Sequence, residues 1–337
     1  MGIMVGIAVC VGNKAVATAP SEVEPTGIMT FADPAMQALC AKTWGDGTNI
    51  TYEQAREVTE IPSSFAEGNV NVKSFMEFVY FTSVTVMMTA TFRNCVNFHS
   101  ILLPKNLQKL TKTNFEKTII EKIILPDSVT TIGESAFYGC SALTSINIPD
   151  SVTTIGEYAF NQCSALTNAK LSNNQTNISS YLFFGCSNLT SVIIGINTKY
   201  IWYQSFNSSG LKSVEIPNSV LRIEEGAFSR CVNLASIKLS NSIIFIGYAG
   251  FSSGNLSNII LPESLNSLGA KVFYNNKNLS VVRSLNATPP SIGSDCFLLT
   301  SPELKIYVPD ESVEAYKTAT NWSAYANKIL PLSQYIG

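Results

Sequence analysis

The chain is 337 residues long, with 46% hydrophobic and only 14% charged residues and a formal net charge of −2. That balance gives no basic footprint for a nucleic-acid partner, and the single histidine, His99, removes most histidine-based metal and acid–base designs. No apolar run reaches the roughly 18 residues of a bilayer-crossing helix, so no transmembrane segment is expected.

In chain order, the first segment, residues 1–30, opens with MGIMVGIAVCVG and continues into AVATAP. An apolar stretch followed by small residues fits a secretory signal remnant, but no Lys or Arg precedes it. A short buried strand is the other reading, and the role of 1–30 stays open between them.

Beyond about residue 72 the chain repeats. Ten phenylalanines (Phe92, Phe115, Phe137, Phe160, Phe183, Phe206, Phe228, Phe251, Phe273 and Phe297) are separated by 22 to 24 residues. A period of this size marks a solenoid. The clearest copy is LTSINIPDSVTTIGEYAFNQC, residues 143–163. Its L-x-x-I-x-I opening ends in period-2 alternation, which predicts one short strand per copy with alternate side chains inward. Proline follows that strand at Pro104, Pro126, Pro149, Pro217 and Pro262, where it ends the strand because it cannot donate to a ladder. A second apolar pair, such as Val152 and Ile155, predicts a short extended segment. Glycine recurs four residues before Phe at Gly133, Gly156, Gly247, Gly269 and Gly293, which suggests a corner with positive φ. One copy cannot bury its own apolar face, so each Phe is expected to stack on those above and below. Cys95, Cys140, Cys163, Cys186 and Cys231 all lie three residues after a repeat Phe. With no CxxC pair among them, they read as small buried hydrophobes.

The stretch LTSINIPDSVTTIGEYAFNQCSALT resembles the BspA-like class of leucine-rich repeat. The resemblance implies a β-rich leucine-rich-repeat solenoid: a curved right-handed horseshoe of about eleven 22–24-residue coils, with small helical N- and C-terminal caps. The expected divisions are 1–30, a helical N-terminal cap at 31–71, the solenoid at 72–309 and a helical C-terminal cap at 310–337. FADPAMQALCAKTW and YEQAREVTEI are similar to the family's N-terminal cap. Between them the family's EF-hand-like stretch is degenerate: it is two residues short, and Gln54 stands where a bidentate Glu belongs. No cofactor or metal is therefore expected. The segment IYVPDESVEAYKTATNWSAYANKILPL resembles the C-terminal close, with Asp310 a candidate N-cap and Trp322, Tyr325 and Ile329 a lid.

No catalytic constellation is present: there is no GxSxG, HExxH, Walker loop or dinucleotide fingerprint. Glu134 and Glu157 fall on one repeat register, as structural edge residues do. The candidate partner-binding face is the strand sheet, whose outward positions include Lys122, Ile124, Asn147, Lys170, Ile193, Glu215, Lys238, Ile260, Arg283 and Tyr307. With strands about 4.8 Å apart, eleven of them make a face on the order of 50 Å long, suited to a protein or glycan. The expectation is a non-catalytic, adhesin-like protein, bacterial and cell-surface or secreted, with a macromolecular partner. The alternative is a spacer module of an envelope or phage assembly. A polysaccharide-active enzyme comes third.

Overall fold

A computed structural model describes residues 24–336; the apolar N-terminal stretch read above as signal remnant or strand lies almost wholly outside them. The chain winds as a parallel β-solenoid with two ladders, to which every coil but the one at 120–125 contributes a front and a back strand. The front ladder carries the L-x-x-I-x-I strands, such as Ser145–Asn147, Asn168–Lys170 and Ser191–Ile193, paired in parallel in that order. The back ladder is built from two-residue strands. Five run from Glu60–Ile61 to Thr154–Ile155, and six from Asn177–Ile178 to Ser291–Ile292.

Between the ladders, all ten repeat phenylalanines stack into one column, with successive ring centroids 5.0–5.8 Å apart and interplanar angles of 5–21°. Each ring is at most 2% exposed. Burying such a ring stabilises by roughly 1.5–3 kcal/mol, and stacking adds about 0.5–1.5 kcal/mol.

The turn around each Phe has a backbone form that the sequence does not announce. In all ten copies the residues two before and two after Phe are left-handed, and only Gly139, Gly185 and Gly226 among these twenty are glycine. Alternating the backbone hand in this way turns the N–H groups at Phe−2, Phe and Phe+2 toward the next coil. Tyr158, Phe160 and Gln162, for instance, donate to the carbonyls of Ser180, Leu182 and Phe184 at 3.2, 3.1 and 2.8 Å. The same three bonds recur from Ser64, Ala66 and Gly68 through to Lys271, Phe273 and Asn275. A non-glycine residue in this region costs about 1–2 kcal/mol, whereas a buried backbone bond returns about 0.5–1.5 kcal/mol net. Bonds and strain nearly cancel, so the buried ring decides that the turn forms.

The register glycines serve a different purpose from the one expected. None of Gly133, Gly156, Gly247, Gly269 or Gly293 has positive φ. A Cβ at Gly156 would instead sit 2.3 Å from the Glu134 backbone nitrogen, and one at Gly293 2.2 Å from that of Ala270. Coil-to-coil approach demands them.

The front ladder is discontinuous. The steps Ile101 to Ile123, Val192 to Val214 and Ile237 to Ile259 are each 22 residues, and none of them carries strand pairing. A coil one residue short has about 3.3 Å less chain with which to reach its neighbour in register. The expected strand at 120–125 is absent altogether, and residues 122–125 make no backbone hydrogen bond with described residues.

At the N-terminal end, α1 (Pro34–Trp44) is capped by Asp33 and α2 (Tyr52–Glu57) opens with a reciprocal capping box of Thr51 and Gln54. Gln54 is thus engaged in the cap, and Asp46 Oδ1 accepts from the Thr48 and Asn49 backbone nitrogens. Trp44 stacks on Phe65 at 4.8 Å, closing the first turn of the column. Residues 76–80 form a 3-10 helix directly after the short front strand Ser74–Phe75.

At the C-terminal end, Asp310 does not cap α3 (Val313–Thr318); its carboxylate accepts from Ser333 N at 2.9 Å and ties down the tail. Trp322 is fully buried and donates through its indole to Pro290 O at 2.7 Å. Tyr325 Oη takes the place of the missing next coil by accepting from Phe297 N at 3.1 Å. Ile329–Pro331 then adds a final parallel rung beside Lys305–Val308.

Candidate functional site

Strand pairing places the expected outward residues side by side. Asn147, Lys170 and Ile193 are register neighbours, Glu215 pairs with Lys238, and Ile260, Arg283 and Tyr307 follow one another. The period-2 alternation is responsible: Ile146, Ala169, Val192, Val214 and Val282 turn inward, and the residues that follow them face outward. Ile124 is 72% exposed, Ile193 60% and Ile260 39%, while Asn147, Lys170, Glu215 and Lys238 are exposed and Arg283 half-buried.

Two members differ from expectation. Tyr307 is only 7% exposed, because the final rung pairs it with Leu330 and Tyr335 packs on its ring at 5.1 Å. The Tyr335 ring also lies 4.7 Å from the Arg283 guanidinium. The tail therefore closes the C-terminal end of this column. Lys122 is exposed as expected, but it sits on the unpaired segment 122–125 rather than on a strand.

That unpaired segment opens a groove of about 600 Å³ between neighbouring coils. Ile124, Asn147 and Lys170 line it, together with Asp127 and Asp150. Asp150 is held below its usual range by the Asn173 backbone N–H and then by the Asn173 side-chain amide. Farther along, Lys238 Nζ meets Glu215 Oε1 at 2.5 Å. Both groups are well exposed, so this pair contributes little to stability and serves to set the local charge pattern.

The repeat cysteines are buried and free. Each does more than fill space, because its thiol donates to the carbonyl one coil back: Cys140 to Phe115 O at 3.0 Å, Cys163 to Phe137 O at 3.2 Å and Cys186 to Phe160 O at 3.1 Å. Asn276 fills the same register and donates to Phe251 O at 2.8 Å. It needs Gly254 beside it, since a Cβ there would sit 2.8 Å from Asn276 Oδ1. Burial pushes the Cys140 and Cys186 thiols up to about 12, far from nucleophilic.

Among the described residues no helix is long and apolar enough to cross a membrane. Residues 85–212 and 199–323 match the family model described as a BspA type Leucine rich repeat region, in six copies. No curated protein matches this chain. Similar solved structures include a leucine-rich repeat protein from Bacteroides ovatus, 21% identical over 81% of this chain and 87% of that one, with a TM-score of 0.41. A leucine rich cell surface protein from Faecalibacterium prausnitzii is 17% identical over 83% of this chain and 87% of that one, with a TM-score of 0.37. The pneumococcal vaccine antigen PcpA is 19% identical over 74% of this chain and 76% of that one, with a TM-score of 0.40.

Proposed function

Because this chain belongs to the BspA type leucine rich repeat family, we propose that it is a non-catalytic, cell-surface binding protein whose front strand face holds a protein partner. One observation carries the reading: Ile124, Ile193 and Ile260 stand in water along a single outward column, spaced by Lys170, Glu215 and Lys238. Single exposed aliphatic residues need no explanation. A row of them on one rigid face, interleaved with charges of both signs, offers apolar anchors within a polar surround, as protein interfaces do. The column also favours protein over glycan. Sugar rings stack on exposed aromatic faces, and its one aromatic, Tyr307, is covered by the tail. A face on the order of 50 Å long accommodates a standard interface of about 800 Å² per partner.

The test is a protein array probed with the full chain and with the triple variant Ile124→Asp, Ile193→Asp, Ile260→Asp. Wild type should capture a discrete partner, and the variant should lose at least tenfold in affinity with an unchanged melting temperature. Val232, equally exposed but off this face, supplies the control Val232→Asp. Equal loss in that control, or none in the triple variant, overturns the reading. Antibody labelling of intact cells tests the location.

A further inference from the structure

A second groove, of about 390 Å³, lies over the phenylalanine turns and shares no lining residue with the front strand column. Its floor follows one register, the residue after each repeat Phe. There the side chains read Phe184, Asn207, Ser229, Ser252 and Tyr274, large at both ends and small in the middle. Four coil steps of 5.0–5.8 Å separate the two aromatic ends, so the trough is roughly 20 Å long.

Its floor carries unspent hydrogen-bonding capacity. Asn207 is only 6% exposed, and its Oδ1 accepts from Ser208 Oγ, but its Nδ2 donates to no described residue. That Nδ2 would lie 3.9 Å from a Cβ on Gly226, so the missing side chain leaves the amide open to the groove. Beside it the buried hydroxyls of Ser229 and Ser252 are 2.8 Å apart. One hydrogen serves that contact, and the other remains available. A stripe of small residues alone would be a mere furrow. The Asn207 amide, on a side chain only 6% exposed and without a protein partner for its Nδ2, opens onto the groove, where a ligand acceptor can replace the water that otherwise satisfies it.

The walls supply the complementary chemistry. Tyr248 is half exposed at the rim. Phe184 also continues into an aromatic ridge: its ring is 5.8 Å from Tyr181, which stacks on Tyr158 at 4.6 Å and meets Tyr203 at 5.1 Å. Glu225 stands against Arg230 and Lys271, so the groove carries a single net positive charge, which salt screens at the surface and which is too weak to demand an anionic ligand.

We propose that this turn-face groove binds a short, uncharged, linear oligosaccharide. Pyranose rings present flat C–H faces to aromatic walls and hydroxyls to amide and serine donors. A linear chain advances by about one coil step per sugar, so about four sugars fit. The site is independent of the protein-binding face, and its ligand is of a different class.

The experiment is calorimetric titration of the full chain with neutral tetrasaccharides: cellotetraose, maltotetraose, xylotetraose, mannotetraose, laminaritetraose and N-acetylchitotetraose. At least one should bind. Asn207→Ala and Tyr274→Ala should each weaken it tenfold or more, Ser252→Trp should block it, and the triple isoleucine variant should bind as wild type. Melting curves verify that each variant is folded; should Ser252→Trp fail to fold, the other two decide. Failure of all six sugars to bind, or undiminished binding in folded Asn207→Ala and Tyr274→Ala, overturns the proposal.

Discussion

At the scale of single residues, two kinds of glycine in the same coil separate close approach from backbone hand. Gly156 has ordinary φ but no room, with the Glu134 backbone where its Cβ would be; Gly139 has φ of +67°, and a Cβ there would meet Lys117 Cγ at 3.3 Å and that residue's backbone only at ordinary contact distance, 3.9 Å and beyond. Gly156→Ala should therefore cost about 2–3 kcal/mol, as overpacking against an unyielding backbone does. Gly139→Ala should cost only about 1 kcal/mol, since other copies place Gln162, Ser208 or Arg230 at that position. Denaturant melts of the two variants decide it, and equal losses would refute the distinction. The cysteines give a second residue-level test. Burial raises Cys140 and Cys186 to about 12 and Cys231 to about 11, from an ordinary 9.0. A thiol whose pKa is higher folded than unfolded stabilises the fold fully below the unfolded value, and that stability is lost as pH rises toward the folded one. Stability should thus decline between pH 9 and 11. The triple variant Cys140→Ala, Cys186→Ala, Cys231→Ala should show a slope shallower by about 1.4 kcal/mol per pH unit for each thiol removed. An unchanged slope would mean that the thiols already titrate in the folded protein.

At the scale of elements, the ends of the turn ladder matter most. The repeated bonds all run the same way, N–H toward the next coil, so the last coil must present donors with no coil to receive them. Tyr325 meets one of them at Phe297 N, where burial raises its own pKa even though that backbone contact opposes the rise. Tyr325→Phe keeps the ring, which stands edge-on to Phe297 at 5.3 Å, and removes only the acceptor. It should cost about 1–3 kcal/mol, the penalty for a buried donor left unpaired; a loss below 0.5 kcal/mol, roughly the noise of such measurements, would show that water replaces it. Elements of this kind mark what a sequence can and cannot announce. The phenylalanine column, the inward Ile and Leu rows and the outward strand row are legible because periodicity alone dictates which side chains are buried. The left-handed turn residues are not, because Tyr158, Gln204 and Lys271 prefer other conformations and are held there by bonds to a neighbouring coil. Glycine at Phe−4 is visible as a recurrence, but its cause is a contact 21 to 23 residues away. The cover over Tyr307 was hidden for the same reason: it depends on where the tail returns, which no local pattern encodes. The turn-face groove could have been glimpsed as the large–small–small–small–large series from Phe184 to Tyr274, had the register after Phe been read as a column.

At the scale of the whole molecule, coils couple only to their neighbours, so stability follows whichever ladder is continuous. The turn ladder runs without a break from Ser64 to Leu298, three bonds per coil, beside the stacked rings. The front strand ladder is interrupted around 122–125 and again at two 22-residue steps. The molecule is therefore held along its turns, while its front strand face is divided into short panels that can adjust independently. Hydrogen exchange should reveal this directly. Amides of Phe137, Phe160, Phe183 and Phe206, each donating to the next coil at the centre of the column, should be among the slowest in the protein and open only with global unfolding. Amides of 122–125, which have no backbone partner, should exchange within the dead time of the measurement. Amides next to the seams at Val192/Val214 and Ile237/Ile259 should fall between these extremes. Uniform protection along the front strands, or turn amides exchanging faster than strand amides, would contradict a solenoid hinged at its seams. The predicted gradient would instead mean that the outward isoleucines and lysines ride on panels whose mutual angle a partner can set without disturbing the core.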